Sequence, residues 1–167
     1  MKMDSLHDLY IQNLKDLYSA EKQILQAMPK MIKKTQNEEL RQAIEEHRVQ
    51  TEEQVRRLEK IGEMCGKRLT GHKCAAMEGL IEEGKEMLEM EGDPNVIDAG
   101  IIGSAQRIEH YEIAGYGCAR TYARMLGFDD QAKILQQTLD EEGKTDERLN
   151  MIAENIVNQR AAQASSA

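Results

Sequence analysis

Tryptophan is absent from this 167-residue chain, phenylalanine occurs once, proline twice, and aromatic residues make up only 4% of it. A sheet needs β-branched and aromatic side chains to pack its pleated faces, so a multi-stranded sheet protein is excluded. Long apolar runs are missing too. No stretch of about 18 residues is apolar enough to span a bilayer, and there is no signal-peptide pattern. Cysteine is scarce: Cys65, Cys74 and Cys118 are odd in number and form no C-x-x-C pair. That usage suits a reducing compartment, and a soluble cytoplasmic protein is expected. A cationic excess is lacking as well, with 22 Lys and Arg against 30 Asp and Glu and a net charge of −8. General binding of nucleic acid requires a basic face, so none is expected.

Ala, Leu, Met, Glu, Gln, Lys and Arg abound, which is a helix-forming composition. Asp4 or Ser5 can cap a first helix lasting to about residue 36, with Leu6, Tyr10, Leu17, Ile24, Met28 and Met31 recurring at helical spacing. Pro29 should kink it. Asn37 can cap a second helix carrying Leu40, Ile44, Leu58 and Ile61 inward and ending near Gly66. Residues 67–75 read as a loop and 76–91 as a short amphipathic helix. Asp93-Pro94 opens a third long helix lasting to Gly127, and Asp129 or Asp130 caps a fourth that runs to about residue 159. Residues 1–160 thus form one domain, and the tail 161–167 should fray. Short joints make hairpins of the first and second long helices and of the third and fourth. The roughly 28 residues between the hairpins suffice to cross the length of a bundle, which is the ferritin-like form of the four-helix bundle. The fold class is all-α, with a short fifth helix in the crossover.

Each long helix interrupts its apolar stripe with polar residues near its middle. Glu21 points inward on the first, and His47 lies on the heptad seam of the second, with Gln50 one turn beyond. The third carries Glu109 and Glu112, and the fourth Glu142 with Asp146 one turn later. Positions three or four apart share a helix face. Five acids and an imidazole are therefore aimed at one level of the core, with no Lys or Arg on the stripes there. Buried ionised carboxylates cost several kcal/mol each unless a cation compensates them. Carboxylates with imidazole suit iron or manganese, and zinc less well without cysteine. The paired acids on the third and fourth helices suffice for two ions.

The segments DLYSAEKQ (16–23), EHRVQTEEQ (46–54), RIEHYEIAGYG (107–117) and LDEEGKTDERL (139–149), with CAAMEGLIEEG (74–84) in the crossover, resemble the YciF/YciE-type ferritin-like stress proteins. The resemblance spans essentially the whole chain. It implies a bundle with a rubrerythrin-like metal site, di-iron above manganese or zinc, and a stress-related role with oxygen or peroxide as a small oxidant. Glu21 matches the single-Glu helix of the di-iron carboxylate pattern, and Glu109-x-x-Glu112 is similar to the rubrerythrin variant. Two departures stand out. The second helix has His47-x-x-Gln50, and the fourth has Thr145 where His would stand, with Asp146 as a substitute ligand.

Other residues read as structure. His110 falls on a flank, Tyr18 and Tyr116 pack with hydroxyl contacts near the acids, and Gly115 and Gly117 permit close helix approach. Leu80, Ile81, Met87, Leu88 and Met90 on the crossover helix exceed what one bundle needs, so a homodimer is expected. Two functional readings stand at this point: a ferritin-like metalloprotein with oxidase or peroxide-consuming activity, and a non-catalytic structural or interaction protein whose polar layer fixes packing. A DNA-condensing or iron-storing mini-ferritin lacks its basic tail here.

Overall fold

The computed structural model describes residues 3–164 and is helical throughout, with no strand among them. Its elements are α1 (Leu6–Lys34), α2 (Glu38–Met64), α3 (Ala75–Glu89), α4 (Pro94–Met125), α5 (Asp129–Ile152), a π-helical turn (Ala153–Val157) and α6 (Asn158–Ala164). α1 packs on α2 and α4, and α5 packs on the same two helices, so α2 and α4 stand diagonally. The crossover spans that diagonal, with α3 lying against α1 and α4. No helix of the described residues is long and apolar enough to cross a membrane.

Helix starts follow local chemistry. Ser5 Oγ accepts from the Asp8 N–H at 3.1 Å, Asn37 Oδ1 from Leu40 at 2.9 Å, and Asp93 Oδ1 from Asn95 at 2.8 Å ahead of Pro94. Asp129 and Asp130 do not cap α5. Phe128 holds that position, and the two acids lie in the first turn, where the helix dipole favours them. α1 continues uninterrupted through Pro29, which faces solvent, where water can serve the carbonyl that loses its donor. Asp98 of α4 was not anticipated: its buried carboxylate accepts from the Gln36 and Asn37 N–H groups at 3.0 and 2.6 Å and ties the α1–α2 joint to the other hairpin.

The fourth long helix departs from plain α geometry near its end. The wide turn at 153–157 carries the buried position from Ile152 to Val157 and leaves Ile156 half-buried. The tail expected to fray is helical through Ala164, and residues 165–167 lie outside the described ones. On α3, Ile81 is buried, and Leu80, Met87 and Leu88 pack half-buried against the core. Only Met90 of that apolar set stays exposed, so the surplus expected to pair two chains is largely spent on this chain's own bundle.

The core lies in two parts. One cluster gathers Ile24, Ile44, Ile108 and Leu149, and the other Leu17, Leu58, Tyr116 and Leu135. Between them each long helix contributes its buried polar residues. α1 and α4 approach closely at Gly115, where a Cβ would meet Leu17 Cδ2 at 2.8 Å, whereas Gly117 has open space and plays no such part.

Gly62 offers a test of this packing. A Cβ there would stand 2.9 Å from the Lys67 carbonyl oxygen, while the Lys67 N–H holds the Gly62 carbonyl at 2.9 Å, so the segment cannot retreat. Gly62→Ala should therefore lower stability by about 1 kcal/mol despite its gain in helix propensity. Gly79→Ala, on exposed helix with open space, should raise it by about 0.5–1 kcal/mol. Thermal melts of the two variants check the opposite signs.

Candidate metal centre

Each polar residue of the central layer owes its position to helical spacing. Glu21 follows Leu17 by one turn, and His47, Thr51 and Gln54 form a run of buried polar positions on α2 between Ile44 and Leu58. Glu109 and Glu112 share a face of α4, and Thr138 and Glu142 a face of α5. The bundle brings one atom each of His47, Glu109, Glu112 and Glu142 within 4.8 Å of one another, all four residues being buried. Glu21 adjoins the group, with one oxygen accepting from the Tyr116 hydroxyl.

The imidazole is oriented from behind. His47 Nδ1 lies 3.4 Å from Gln50 Oε1 and 3.3 Å from Thr145 Oγ1, whose own hydrogen goes to the Glu141 carbonyl. Two acceptors at Nδ1 assign the proton there and leave the Nε2 lone pair facing the acids in the neutral ring. Nε2 stands 3.2 Å from Glu109 Oε1 and 3.8 Å from Glu142 Oε2, within ion-pair range but outside hydrogen-bond geometry.

The carboxyls respond to burial in different ways. Desolvation pushes Glu21 up to about 7, against the Tyr116 hydroxyl and the His47 charge. Glu112 and Glu142 are held well above the carboxylate range, first by burial and then by the neighbouring acids. Burial also acts to raise Glu109, but His47 overrides it and the net shift is downward. His47 is raised, because burial opposes its charge less than Glu109 and Glu21 favour it. Glu109 and His47 are thus biased toward a charged pair, and Glu112 and Glu142 toward their neutral forms.

Two expected ligands sit elsewhere. Gln50 is exposed and touches the far nitrogen of His47, where it positions the ring. Asp146 is half-buried, 3.3 Å from His110 Nε2, and accepts from Gln106 at 3.2 Å. Four residues beyond Glu142, it lies about 6 Å further along α5, where it meets α4 at His110 and Gln106. Tyr18 also faces away and donates to Glu59 at 3.0 Å. Three contributors escaped the sequence reading. Gln54 donates to Glu142 and to Glu141, and Arg57 donates to both Glu141 oxygens at 2.6 and 2.9 Å. The signal for them was a charge of each sign on α2 and α5 at matching height.

With its carboxyls ionised, the layer leaves Glu21 Oε2, His47 Nε2, Gln54 Oε1, Glu109 Oε2, Glu112 Oε1 and Glu142 Oε2 buried without hydrogen-bond partners. Buried polar atoms are almost always paired, so these call for protons shared between the acids or for a cation. The four converging residues His47, Glu109, Glu112 and Glu142 could hold a metal ion, and oxygen donors with one imidazole fit iron or manganese.

Comparison with known proteins matches the fold. A family described as a domain of unknown function (DUF892) covers residues 5–162. Protein YciF of Escherichia coli (strain K12) is 43% identical over 162 residues, which is 96% of this chain and 98% of YciF. The crystal structure of that E. coli stress protein aligns with a TM-score of 0.90 over 93% of this chain and 99% of its own. YcfI of Rhodopseudomonas palustris, whose description suggests a structural protein, is 38% identical with a TM-score of 0.88, covering 91% and 97% of the two chains. A Xanthomonas campestris pv. campestris protein at 23% identity shares the fold, with a TM-score of 0.78 over 96% and 99%. The likeness extends through the whole bundle and its crossover, and the chain belongs to the DUF892 family, alongside the stress protein YciF.

Proposed function

We propose that this chain is a metal-binding bundle protein that holds divalent iron or manganese in its central layer and serves in a stress response. The observation that carries the reading is the buried convergence of His47, Glu109, Glu112 and Glu142, one ligand atom of each within 4.8 Å of the others. His47, Glu109, Glu112 and Glu142 would hold a first ion, and Glu21, with its free oxygen, extends the donor set toward a second. Bound iron would supply one-electron redox chemistry, for which oxygen or peroxide is the small oxidant. The protein's own part is orientation. Gln50 and Thr145 aim the imidazole, Tyr116 and Gln54 each hold one carboxylate, and two apolar clusters flank the layer.

Protein purified without added metal should carry iron or manganese by elemental analysis. Wild type should melt higher with saturating Fe(II) or Mn(II), by about 2.7 kcal/mol at a hundredfold excess over Kd. Glu112→Leu with Glu142→Leu should abolish uptake and leave the metal-free fold at least as stable, since apolar residues suit a core better than unpaired acids. The structural reading, which the description of YcfI favours, has the opposite outcome. There the acids belong to a satisfied network, wild type ignores metal, and the double variant loses a few kcal/mol.

Acidity gives a second check. Carboxyls whose pKa is raised on folding bind more protons folded than unfolded, so they destabilise the fold as pH climbs past their unfolded value. Glu21 adds its share up to about 7, and Glu112 and Glu142, also raised, act in the same direction. His47, raised on folding, acts in the same direction, while the lowered Glu109 acts oppositely only at more acidic pH. The Tm of metal-free protein should fall between about pH 5.5 and pH 8, and the increment due to Mn(II) should grow over the same window as metal displaces those protons. A flat metal-free Tm would show the carboxyls to be ionised and hydrated.

A further inference from the structure

On the imidazole side of the layer the apolar core is not filled. A cavity of about 140 Å³ runs between α1, α2, α4 and α5, walled by Ile24, Ile44, Ala105 and Leu149, one from each helix and all buried. His47 and Glu109 line its inner end, and the exposed Glu46 and Lys144 line it where it meets solvent. There the Arg148 guanidinium donates to Glu46 and joins α5 to α2 across the opening.

Protein interiors are close-packed and keep few voids larger than a water, so a void of this size with apolar walls is a feature to be explained. Alanine at 43 and 105 keeps it open, where larger side chains would close it. An apolar cavity of about 150 Å³ accommodates a benzene-sized molecule. A charged ligand would lose its hydration among these walls, and the guanidinium at the opening is already engaged. We propose that the cavity is a ligand site opening onto the polar layer, taking a small uncharged apolar molecule of about six heavy atoms with one end against His47 and Glu109. The cavity stands on its own geometry; the placement of that ligand beside an ion rests on the metal reading above.

Benzene is a suitable probe on the full chain. With metal stripped, near-saturating benzene should raise Tm by a few degrees, and benzoate, the same ring bearing a charge, should not. Ala105→Leu fills the void from α4 and should abolish the benzene response; Ala43→Leu fills it from α2 and serves if the first variant fails to fold. In protein shown to carry Mn(II), the bound benzene protons should relax faster because the ion is adjacent. No benzene response in wild type, a response surviving the filled variant, an equal response to benzoate, or unaltered relaxation in Mn(II)-loaded protein each overturns the proposal. Failure to take up Mn(II), with the benzene response present in wild type and lost in Ala105→Leu, overturns the metal reading and supports the cavity as a ligand site.

Discussion

Four glutamates and a histidine buried at one level of a helical bundle are the constraint on which the rest of this structure depends. Isolated charges in such a place cost several kcal/mol each. The fold meets that cost by surrounding the layer. One apolar cluster lies on the α3 side, built on Ile24, Ile44, Ile108 and Leu149, and another at the opposite end, built on Leu17, Leu58, Tyr116 and Leu135. The four long helices must cross the whole layer and reach both clusters, which gives their length a purpose beyond bundle formation. Asp98 and the joints then keep the two hairpins in register, so that acids from α1, α4 and α5 and the imidazole from α2 meet at one height.

The layer is organised asymmetrically. His47 is held by its far nitrogen and presents the near one, while the Arg57–Glu141 pair and Gln54 brace α2 against α5 on the other side of Glu142. Such bracing fixes donor positions before any ligand arrives, so little ordering entropy is left for binding to cost. It also explains why Thr145, standing where a histidine ligand would be expected, is no simple loss. Its hydroxyl supports the imidazole that α2 contributes instead. The cavity beside His47 extends the same asymmetry, since one side of the layer is braced by the Arg57–Glu141 pair and the other opens toward apolar space that Arg148 and Glu46 bridge only at its rim.

Much of the fold was legible because helix signals are local. Ser5, Asn37 and Asp93-Pro94 mark starts that the structure keeps, and the spacing of Leu17, Ile24, Ile44 and Leu58 marks the inward faces. Legibility ended where distant residues decide. The π-helical turn that brings Val157 into the core packs against α4, and no caps or periodicity of α5 encode it. The crossover helix carried an apolar set that reads as surplus by itself, yet Ile81, Leu80, Met87 and Leu88 find their partners on α1 and α4.

By itself the sequence determined the class of the fold, the order and approximate limits of its helices, and which face of each interrupts its apolar stripe with acids. These follow from spacing along one chain, where a turn of helix relates positions three or four apart. Only the tertiary structure decided which polar residues share the layer. Glu109, Glu112, Glu142 and His47 meet there, whereas Asp146 turns to His110 and Gln50 stands behind the ring. A residue count puts Asp146 one turn from Glu142 on the same side of α5, and only the packing against α4 turns its carboxylate to His110 and Gln106. The pairing of α2 with α5 through Arg57, Gln54 and Glu141 likewise joins residues more than eighty apart, and only the packed bundle brings such groups within hydrogen-bond reach.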